Sequence, residues 1–298
     1  MHKPQTTDQT EGDLKMTNRR HFLNAIAAIG LGVLALPGVA AAKEWKTVTI
    51  ALEGAYAPWN LTNPDGSLDG FEPELAKYLC AHAKLDCKLI PQDWDGMIAA
   101  LNAGKFDVIM DALSITDERK QVIDFSIPYA ATHAAFAATK DSAFANAAGT
   151  GTVVKFTPEL TDSKPTIEAL RQKFKGATIG IQAATVYAKF IYDNFGDIAT
   201  VREYKTGGER DLDLETGRLD LAFDDAVYLL SAFEKANGSL AFTGPEVGGT
   251  IFGVGEGLGL RKSDPELKAK FDEAIKAALA DGTIKTLSMK WFKTDVTP

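Results

Sequence analysis

GKFDVIMD at residues 104–111 and GRLDLAFD at residues 217–224 share one pattern. Each has a glycine, a basic residue, an aspartate, a short apolar strand and a second aspartate where the strand ends, and a helix is predicted before each glycine. The repeat predicts two lobes of one architecture rather than a single sheet. Ligands of open α/β sheets bind beyond the carboxyl ends of the strands. We therefore expect Asp111 and Asp224 to lie beside the same kind of crevice.

The rest of the chain alternates short apolar strands with amphipathic helices, which is typical of the α/β class. A helix with Trp94, Ile98 and Leu101 on one face is predicted to begin at Trp94. Residues 141–165 are small and polar and have no periodicity, so they are predicted to form a surface loop. Other strands are predicted at 47–52, 106–110 and 258–261, and other helices at 73–84, 265–280 and 284–292.

Two segments are predicted to connect the lobes. Residues 128–132 are the first candidate crossing, and the glycine-rich residues 243–257 are the second. The second crossing returns the chain to the first lobe, and two crossovers between two lobes form a natural hinge. The predicted first lobe therefore comprises residues 43–131 and 253–298, and the second lobe comprises residues 132–252.

The first 42 residues have the order of an export signal. Arg19-Arg20-x-Phe22-Leu23 precedes an apolar run at 25–36, and three alanines end the segment. This order is typical of a cleaved signal peptide, and the arginine pair is similar to a twin-arginine signal, although Asn24 stands where lysine is usual. The apolar run is short for a retained membrane anchor. We expect residues 43–298 to be exported.

Charge and cysteine content narrow the function further. The whole chain has 32 basic and 40 acidic residues; the segment 1–42 holds four and three of them, which leaves the remainder at a net charge of −9. No basic stretch is interleaved with aromatic residues, so nucleic acid is not an expected partner. In an oxidising compartment, Cys80 and Cys87 predict a structural disulfide. Zinc binding is not expected, because a structural zinc needs four ligands and only His82 lies nearby.

Five motifs, in order, carry a family resemblance. They are EGAYAPW at 53–59, GFEPELA at 70–76, DWDG at 93–96, LSIT-x-x-R at 113–119 and DFS-x-PY at 124–129. Together they resemble family 3 solute-binding proteins, the periplasmic receptors of amino-acid ABC importers. The cysteine spacing is similar to that of the lysine/arginine/ornithine and histidine receptors, and the first and last motifs look closer to the opine receptors for nopaline and octopine.

The resemblance implies a fold and a set of partners. The fold is α/β and two-lobed, of the type II periplasmic-binding-protein kind, with a hinge of two crossovers. The protein is expected to be a soluble periplasmic monomer that binds a small amino-acid ligand and docks on a membrane permease. No cofactor, metal or catalytic residue is expected. The long segment at 141–165 either contacts the permease or is inert.

The resemblance also implies residues that bind the amino-acid backbone. Arg119 would hold the α-carboxylate, because a guanidinium pairs with a carboxylate through two parallel hydrogen bonds. Ser114 would add a hydroxyl and a backbone N–H, and Thr185 would add the N-terminus of a second-lobe helix. Asp225 would accept the α-ammonium group. The alternative for Arg119 is a surface salt bridge with a neighbouring acid.

Other residues are expected at the ligand side chain. Tyr56 and Trp94 correspond to the aromatic pair that sandwiches this side chain in the family; without the resemblance, core packing would be the default for Trp94. Glu53 would pair with a distal cation. Asp111 departs from the family pattern, and it either favours a cationic ligand or bonds to the loop backbone.

The remaining residues of the predicted site are apolar. Ala184 and Val186 flank Thr185 where basic receptors carry hydroxyl and amide groups, which indicates a roomier or more apolar subsite. The other positions that the resemblance assigns to ligand binding are Ala112, Leu113 and Ile181.

An enzyme is the rival interpretation. Periplasmic cyclohexadienyl dehydratases resemble this family, and their chemistry needs a general acid with a raised pKa, for which Glu53 or Asp111 would be candidates. Their substrate prephenate carries two carboxylates and would need a second basic group. The sequence shows no clear second arginine at the cleft. Arg202, Arg210 and Arg218 belong to the predicted second lobe, and the sequence does not indicate whether their side chains face the cleft. We therefore expect a binding protein rather than an enzyme.

Overall fold

The computed structural model describes residues 44–298, and the export signal predicted for residues 1–42 lies outside this range. The first part of the described chain contains β1 (Thr47–Leu52), β2 (Ala55–Tyr56), β3 (Asn60–Thr62), β4 (Leu68–Asp69), α1 (Phe71–Ala83), β5 (Asp86–Pro91), α2 (Met97–Asn102), β6 (Val108–Ile109), α3 (Asp117–Lys120) and β7 (Asp124–Phe125).

The second part contains β8 (Ala134–Thr139), β9 (Val153–Lys155), α4 (Lys164–Phe174), β10 (Thr178–Gln182), α5 (Val186–Phe195), β11 (Thr200–Tyr204), α6 (Gly207–Glu215), β12 (Leu221–Asp225), α7 (Ala226–Lys235) and β13 (Leu240–Gly248). A 3₁₀ turn (Thr250–Phe252), β14 (Gly259–Leu260), α8 (Pro265–Ala280) and α9 (Thr283–Trp291) complete it.

Two sheets form the two lobes. The first sheet has the order β5-β1-β6-β14-β7, and the second has the order β11-β10-β12-β8-β13-β9. In each sheet the strand beside the motif strand, β1 or β10, lies between two parallel partners, and antiparallel strands continue the sheet on one side. The two-lobed α/β architecture predicted from the repeat is therefore confirmed.

The repeated motif has the same local structure in both lobes. Gly104 and Gly217 both have φ of 73°, a left-handed conformation that glycine adopts readily after a helix. The first aspartate of each motif accepts a hydrogen bond from a backbone N–H of the neighbouring strand. Asp107 accepts from Thr49 of β1 at 2.9 Å, and Asp220 accepts from Thr178 of β10 at 2.8 Å. The aspartate thus fixes the motif to the sheet in both lobes.

The chain passes twice between the sheets. It leaves β7 in the first sheet for β8 in the second, and it returns from β13 to β14. The two connecting segments pair with each other, since the Glu256 N–H donates to the Ala130 carbonyl and the Tyr129 N–H donates to the Glu256 carbonyl, both at 2.9 Å. The predicted second crossing, 243–257, included the end of β13. The lobe boundaries at residues 131 and 252 remain predictions.

The C-terminal helices rejoin the first lobe. α8 and α9 pack on α1, and Phe292 contacts Trp59 and Phe71 with ring centroids 4.7 and 4.8 Å apart. Cys80 in α1 and Cys87 in β5 form a disulfide with a Cα–Cα distance of 6.1 Å, which confirms the predicted bridge between a helix and the next strand. None of the helices within residues 44–298 has the length and apolar character that a membrane span requires.

Two local predictions are wrong. Residues 141–165 are not only a surface loop, because β9 pairs with β13 in parallel and Phe156 is buried in the second-lobe core. A strand of three residues gives no periodic signal, and its pairing partner is distant in sequence. Trp94 does not begin a helix: α2 begins at Met97, after Gly96 in a left-handed conformation at φ 76°.

Candidate functional site

A cavity lies where strands of the two lobes end. Glu53 follows β1, Asp111 follows β6, and Gln182 is the last residue of β10, so the cavity is at the strand ends where the repeat predicts a crevice. It contains about 380 Å³ of empty space, including its mouth. Its walls comprise Glu53, Tyr56, Trp94, Asp111, Ala112, Ser114, Arg119, Gln182, Thr185, Val186 and Tyr187.

Arg119 is the basic group of the cavity. It lies on the short helix α3, where the Thr116 hydroxyl caps the first turn by accepting from the Arg119 N–H at 3.2 Å. One guanidinium nitrogen donates to the Ser114 carbonyl at 3.1 Å, and the guanidinium carbon lies 5.4 Å from the centroid of the Trp94 ring. Burial lowers the pKa of Arg119 to about 10, which leaves it charged at neutral pH.

Arg119 has no carboxylate partner in the part of the chain that the structure describes. Within residues 44–298 it forms no ion pair, and nearby Asp117 pairs instead with Lys120 at 3.2 Å. The surface salt bridge considered as its alternative role is therefore not formed. A half-buried guanidinium without a charged partner carries a desolvation cost, and an anionic ligand group would offset this cost.

The N-terminus of α5 faces the same cavity. Thr185 caps this helix, because its hydroxyl accepts from the Ala188 N–H at 3.0 Å and donates to the Gln182 carbonyl at 2.8 Å. Val186 and Tyr187 form the first turn and line the cavity. The unpaired N–H groups and the helix dipole favour an anion at such an end. Arg119 and α5 therefore give the cavity a region that suits a carboxylate.

The acidic region is formed by Asp111 and Glu53. Asp111 is 3% exposed, and its Oδ1 accepts from the Glu53 N–H at 3.0 Å and from the Asn60 amide at 2.7 Å. Its Oδ2 is buried and has no hydrogen-bond partner within residues 44–298. One oxygen of Asp111 therefore accepts hydrogen bonds from the Glu53 backbone and the Asn60 side chain, and the other has no partner among the described residues. The Glu53 carboxylate accepts from the Gln182 amide at 2.9 Å.

Both carboxyls resist ionisation in the absence of a cation. Burial raises the pKa of Glu53 to about 7, the charges of Asp224 and Asp93 add to the effect, and the hydrogen bond from Gln182 opposes it. Burial also raises the pKa of Asp111 well above its usual range, with the charges of Glu72 and Glu53 adding to the rise. A nearby positive charge reverses such shifts. This region is therefore suited to hold a cationic group.

Two aromatic side chains line the cavity and bridge the lobes. Tyr56 stacks on Tyr228 with ring centroids 4.5 Å apart and an interplanar angle of 10°, and its hydroxyl donates to Asp224 at 2.6 Å. The Trp94 indole N–H donates to the Ala183 carbonyl at 3.2 Å. Trp94 also packs at the edge of the first-lobe core, so it has both a packing contact and a face on the cavity.

Four of the predicted site residues are not on the cavity wall. Ile181 is fully buried in the second-lobe core, because residues of β10 alternate between the core and the cleft. Leu113 is buried in the first-lobe core, and Ala184 lies at a neighbouring cleft with a left-handed φ of 59°. Asp225 caps α7 by accepting from the Tyr228 N–H at 2.9 Å.

Gln182 and Tyr187 line the cavity but were not predicted from the sequence. The repeat, combined with the observed strand pairing, relates Gln182 to the predicted residue Glu53. Val108 and Leu221 are equivalent positions of the motif; Val108 pairs with Ile50, and Leu221 pairs with Ile179. Glu53 lies three residues after Ile50, and Gln182 lies three residues after Ile179. Gln182 is therefore the second-lobe counterpart of Glu53. Tyr187 has no comparable signal, because its position depends on how α5 is oriented.

Two lobes that enclose a polar cavity, with a basic region and an acidic region, define a bilobal ligand-binding protein. The model of the bacterial extracellular solute-binding proteins, family 3, matches residues 48–294, and the chain belongs to this family.

Individual relatives and structures agree with the family. The octopine-binding periplasmic protein of Rhizobium meliloti is 44% identical over 301 residues, which cover 93% of this chain and 99% of the relative. The L-arginine-binding protein of Pseudomonas aeruginosa is 37% identical over 277 residues, covering 92% and 97%. A periplasmic His/Glu/Gln/Arg/opine family-binding protein from Silicibacter pomeroyi, solved with lysine, is similar with a TM-score of 0.68 and 35% identity over 84% of this chain and 99% of that chain.

Proposed function

We propose that the protein is the periplasmic substrate-binding component of an ABC importer, and that it binds an amino acid or amino-acid derivative with a cationic side chain. The candidates are arginine, lysine, ornithine, histidine and opines. One observation carries the proposal: Arg119 and Asp111 line the same cavity, and within residues 44–298 the Arg119 guanidinium has no ion pair and the buried Asp111 Oδ2 has no hydrogen-bond partner. A molecule with a carboxylate at one end and a cation at the other would satisfy both.

Each proposed contact follows from the chemistry of the wall. Arg119, Ser114 and the N-terminus of α5 at Thr185 would bind the α-carboxylate. Glu53 and Asp111 would bind the cation of the side chain, and the rings of Tyr56 and Trp94 would cover its apolar stem. Because both lobes contribute, the ligand would stabilise the closed arrangement of the two lobes.

The proposal includes export and a membrane partner. Residues 1–42 would direct the chain to the periplasm and be removed, and the closed protein would dock as a monomer on a permease. The crossings near residues 131 and 252 would act as the hinge. The names of the relatives, an octopine-binding and an L-arginine-binding protein, support the substrate class.

The dehydratase alternative has a structural neighbour but lacks the required charge. An ancestral amino-acid-binding protein described as a precursor of cyclohexadienyl dehydratase has a TM-score of 0.67 at 26% identity, over 83% of this chain and 96% of that chain. Arg119 is the only arginine on the cavity wall within residues 44–298. Arg202 and Arg218 pair with Asp213, and buried Arg210 pairs with Asp211 and Asp224. Prephenate has two carboxylates and no cation, so one carboxylate would lack a basic partner and nothing would neutralise Glu53 and Asp111.

A thermal-shift screen tests the proposal. The protein would be expressed with its leader, purified, and refolded to remove carried-over ligand. The panel would contain the cationic amino acids, octopine, nopaline, glutamine, glutamate and prephenate. A ligand at a hundred times its Kd adds about 2.7 kcal/mol, which raises Tm by about 5–10 °C for a protein of this size. A shift with cationic ligands is expected; a shift with prephenate alone, followed by its turnover, would instead identify an enzyme.

The carboxylate clamp has its own variant. We expect Arg119→Ala to abolish the shift for every cationic amino acid, because it removes the charge that the α-carboxylate needs. The matched control is Lys120→Ala, since Lys120 is the exposed next residue on the same helix. A folded Arg119→Ala protein that keeps its affinity would contradict the assignment.

A further inference from the structure

Glu256 is a buried acid at the crossing between the lobes. It forms antiparallel bridges with Ser114 on one side and Ala130 on the other. Side chains that are directly opposite in an antiparallel pair lie on the same face. Ser114 lines the cavity, so the Glu256 side chain is on the same face of the crossing as a cavity residue, and it lies behind the cavity wall as Asp225 does. No sequence pattern marked this residue.

The Glu256 carboxylate is only partly satisfied. The residue is 7% exposed; its Oε1 accepts from the Thr132 hydroxyl at 3.2 Å, whereas its Oε2 is buried without a hydrogen-bond partner in the described part of the chain. The same hydroxyl is also hydrogen-bonded to Asp225, which is 2% exposed. A hydroxyl has one proton to donate, so it cannot donate to both carboxylates. Asp225 also accepts from the Tyr228 N–H and the Trp59 indole N–H, so the shortage of donors falls on Glu256.

No cation within residues 44–298 forms an ion pair with either carboxylate. The basic residue nearby, Arg210, is taken by Asp211 and Asp224. Burial raises the pKa of Glu256 well above its usual range, and the charge of Asp225 adds to the rise. Burial likewise raises the pKa of Asp225 to about 6. Buried carboxylates are normally paired with a positive group, and a ligand could supply it here.

The carboxylate pair lies close to the carboxylate clamp. The Arg119 guanidinium donates to the Ser114 carbonyl at 3.1 Å, and Ser114 is the residue that forms an antiparallel bridge with Glu256. Ser114 is therefore next to both the basic group and Glu256. In a free amino acid the carboxylate and the ammonium group are attached to one carbon atom, which matches this proximity of opposite charges.

We propose that Glu256 is a further ligand-binding residue, that with Asp225 it holds the charged α-nitrogen of the ligand, and that it selects free amino acids over N-carboxyalkyl amino acids. This rests on the proposed function, which includes both classes. An N-carboxyalkyl group adds a carboxylate to the α-nitrogen. It would bring a third negative charge to Glu256 and Asp225, and Arg119 is the one basic side chain on the cavity wall within residues 44–298. Such like-charge contacts give specificity by repulsion.

Arginine and octopine test the proposal directly, since octopine is arginine with a carboxyethyl group on its α-nitrogen. Titration calorimetry on the leader-expressed, refolded protein would measure both affinities. We expect arginine to bind at least about 30-fold more tightly, because like charges in a desolvated contact cost several kcal/mol. Glu256→Gln has the same shape without the charge. It should weaken arginine about 10-fold or more and octopine much less, so that the ratio falls.

The control is Glu266→Gln, the same chemical change at an exposed position of α8, which should leave both affinities unchanged. Octopine binding as tightly as arginine to the unsubstituted protein would overturn the inference and leave the proposed function intact. A folded Glu256→Gln protein with an unchanged ratio would also overturn it. If no cationic ligand binds, both proposals are overturned. If Glu256→Gln does not fold, the ratio in the unsubstituted protein still decides.

Discussion

Asp111 and Asp224 end the same motif in the two lobes, but their surroundings are opposite. In the second lobe, Asp224 contacts the fully buried guanidinium of Arg210 and accepts from the Tyr56 hydroxyl. In the first lobe, no described residue forms an ion pair with Asp111, and its buried Oδ2 has no hydrogen-bond partner there. The cause is one helix position. Seven residues before the motif glycine, the second lobe has Arg210 and the first has Met97, both buried.

This difference separates a charge that the fold neutralises from a charge that it leaves for the proposed ligand. The second lobe neutralises its strand-end aspartate within its own fold, whereas the first lobe presents the equivalent aspartate to the cavity. Glu53 and Gln182 differ in the same way, since they occupy equivalent positions and hydrogen-bond to each other, but only Glu53 is ionisable. The repeated architecture supplies the cleft, and the unequal side chains at equivalent positions make one wall acidic.

The largest expected effect comes from making the second lobe like the first. Arg210→Met removes the cation from Asp211 and Asp224 and leaves buried carboxylates unpaired. We expect a loss of about 3–5 kcal/mol in the free energy of unfolding, as for other broken buried ion pairs. Chemical denaturation measures it. Arg202→Met is the control, because Arg202 is 47% exposed and its surface pair with Asp213 is worth at most about 1 kcal/mol. Equal effects of the two variants would contradict the comparison.

Asp111→Asn should separate binding from stability. It removes a buried charge that no protein group neutralises, so we expect the free energy of unfolding near pH 8 to stay unchanged or to rise. The affinity for arginine or lysine should fall about 10- to 100-fold, the usual range for a lost charge-assisted hydrogen bond.

The counterpart Asp224→Asn provides the test of that contrast. It leaves the buried Arg210 with less negative charge around it, so it should lower the free energy of unfolding. Calorimetry and denaturation of both variants measure the two quantities. Destabilisation by Asp111→Asn as large as that by Asp224→Asn would show that both aspartates are structural.

The affinity for arginine should rise with pH. In the ligand-free protein the pKa of Glu53 is about 7, above its ordinary 4.5, so the folded chain keeps a proton that the unfolded chain has already released. Its contribution to stability is therefore present at low pH and is lost as pH rises from 4.5 towards 7. A bound cation favours the ionised form, so acidification below pH 7 must weaken binding, by up to about tenfold per pH unit for each proton displaced.

Calorimetry with arginine between pH 5.5 and 7.5 measures this slope, because the guanidinium and the carboxylate of arginine keep their charges in that range. Glu53→Gln should reduce the slope, and the remainder would come from the other buried acids, including Asp111. Affinity that increases on acidification would rule out a cation beside Glu53.

The smallest expected effect concerns the first aspartate of the motif. Asp107 and Asp220 each accept a backbone N–H, but Asp107 also pairs with the mostly buried Arg261. We expect Asp220→Ala to cost about 1 kcal/mol of unfolding free energy and Asp107→Ala to cost about 1 kcal/mol more. Denaturation curves compare the two; the reverse order would show that the motif is not fixed in the same way in both lobes.

The fold was predictable where the signal is local or repeated. β1 and α8 have the predicted bounds, since one is a bounded apolar run and the other begins with Pro265 in its first turn. β9 could not be predicted, because its three residues form a strand only through pairing with β13. Residues 43–131, 132–252 and 253–298 remain predicted lobe boundaries.

The candidate site was predictable where strand ends and family motifs coincide, as for Glu53, Asp111 and Arg119. Ile181 was assigned to the ligand by resemblance, but it points into the core. Glu256 lies between glycines in a segment without periodicity. Its burial and its unpaired oxygen arise only when the two crossings pair, so the sequence contains no local sign of them.

The tryptophan contacts across the cleft have a spectroscopic consequence. Of the four tryptophans, Trp94 donates to Ala183 at 3.2 Å, and Trp59 donates to Asp225 at 3.4 Å. Both indole rings belong to the first lobe and both acceptors to the second. Opening of the lobes would therefore hydrate two indole N–H groups and shift their emission to longer wavelength. The protein thus contains an intrinsic fluorophore pair that would report closure without a label.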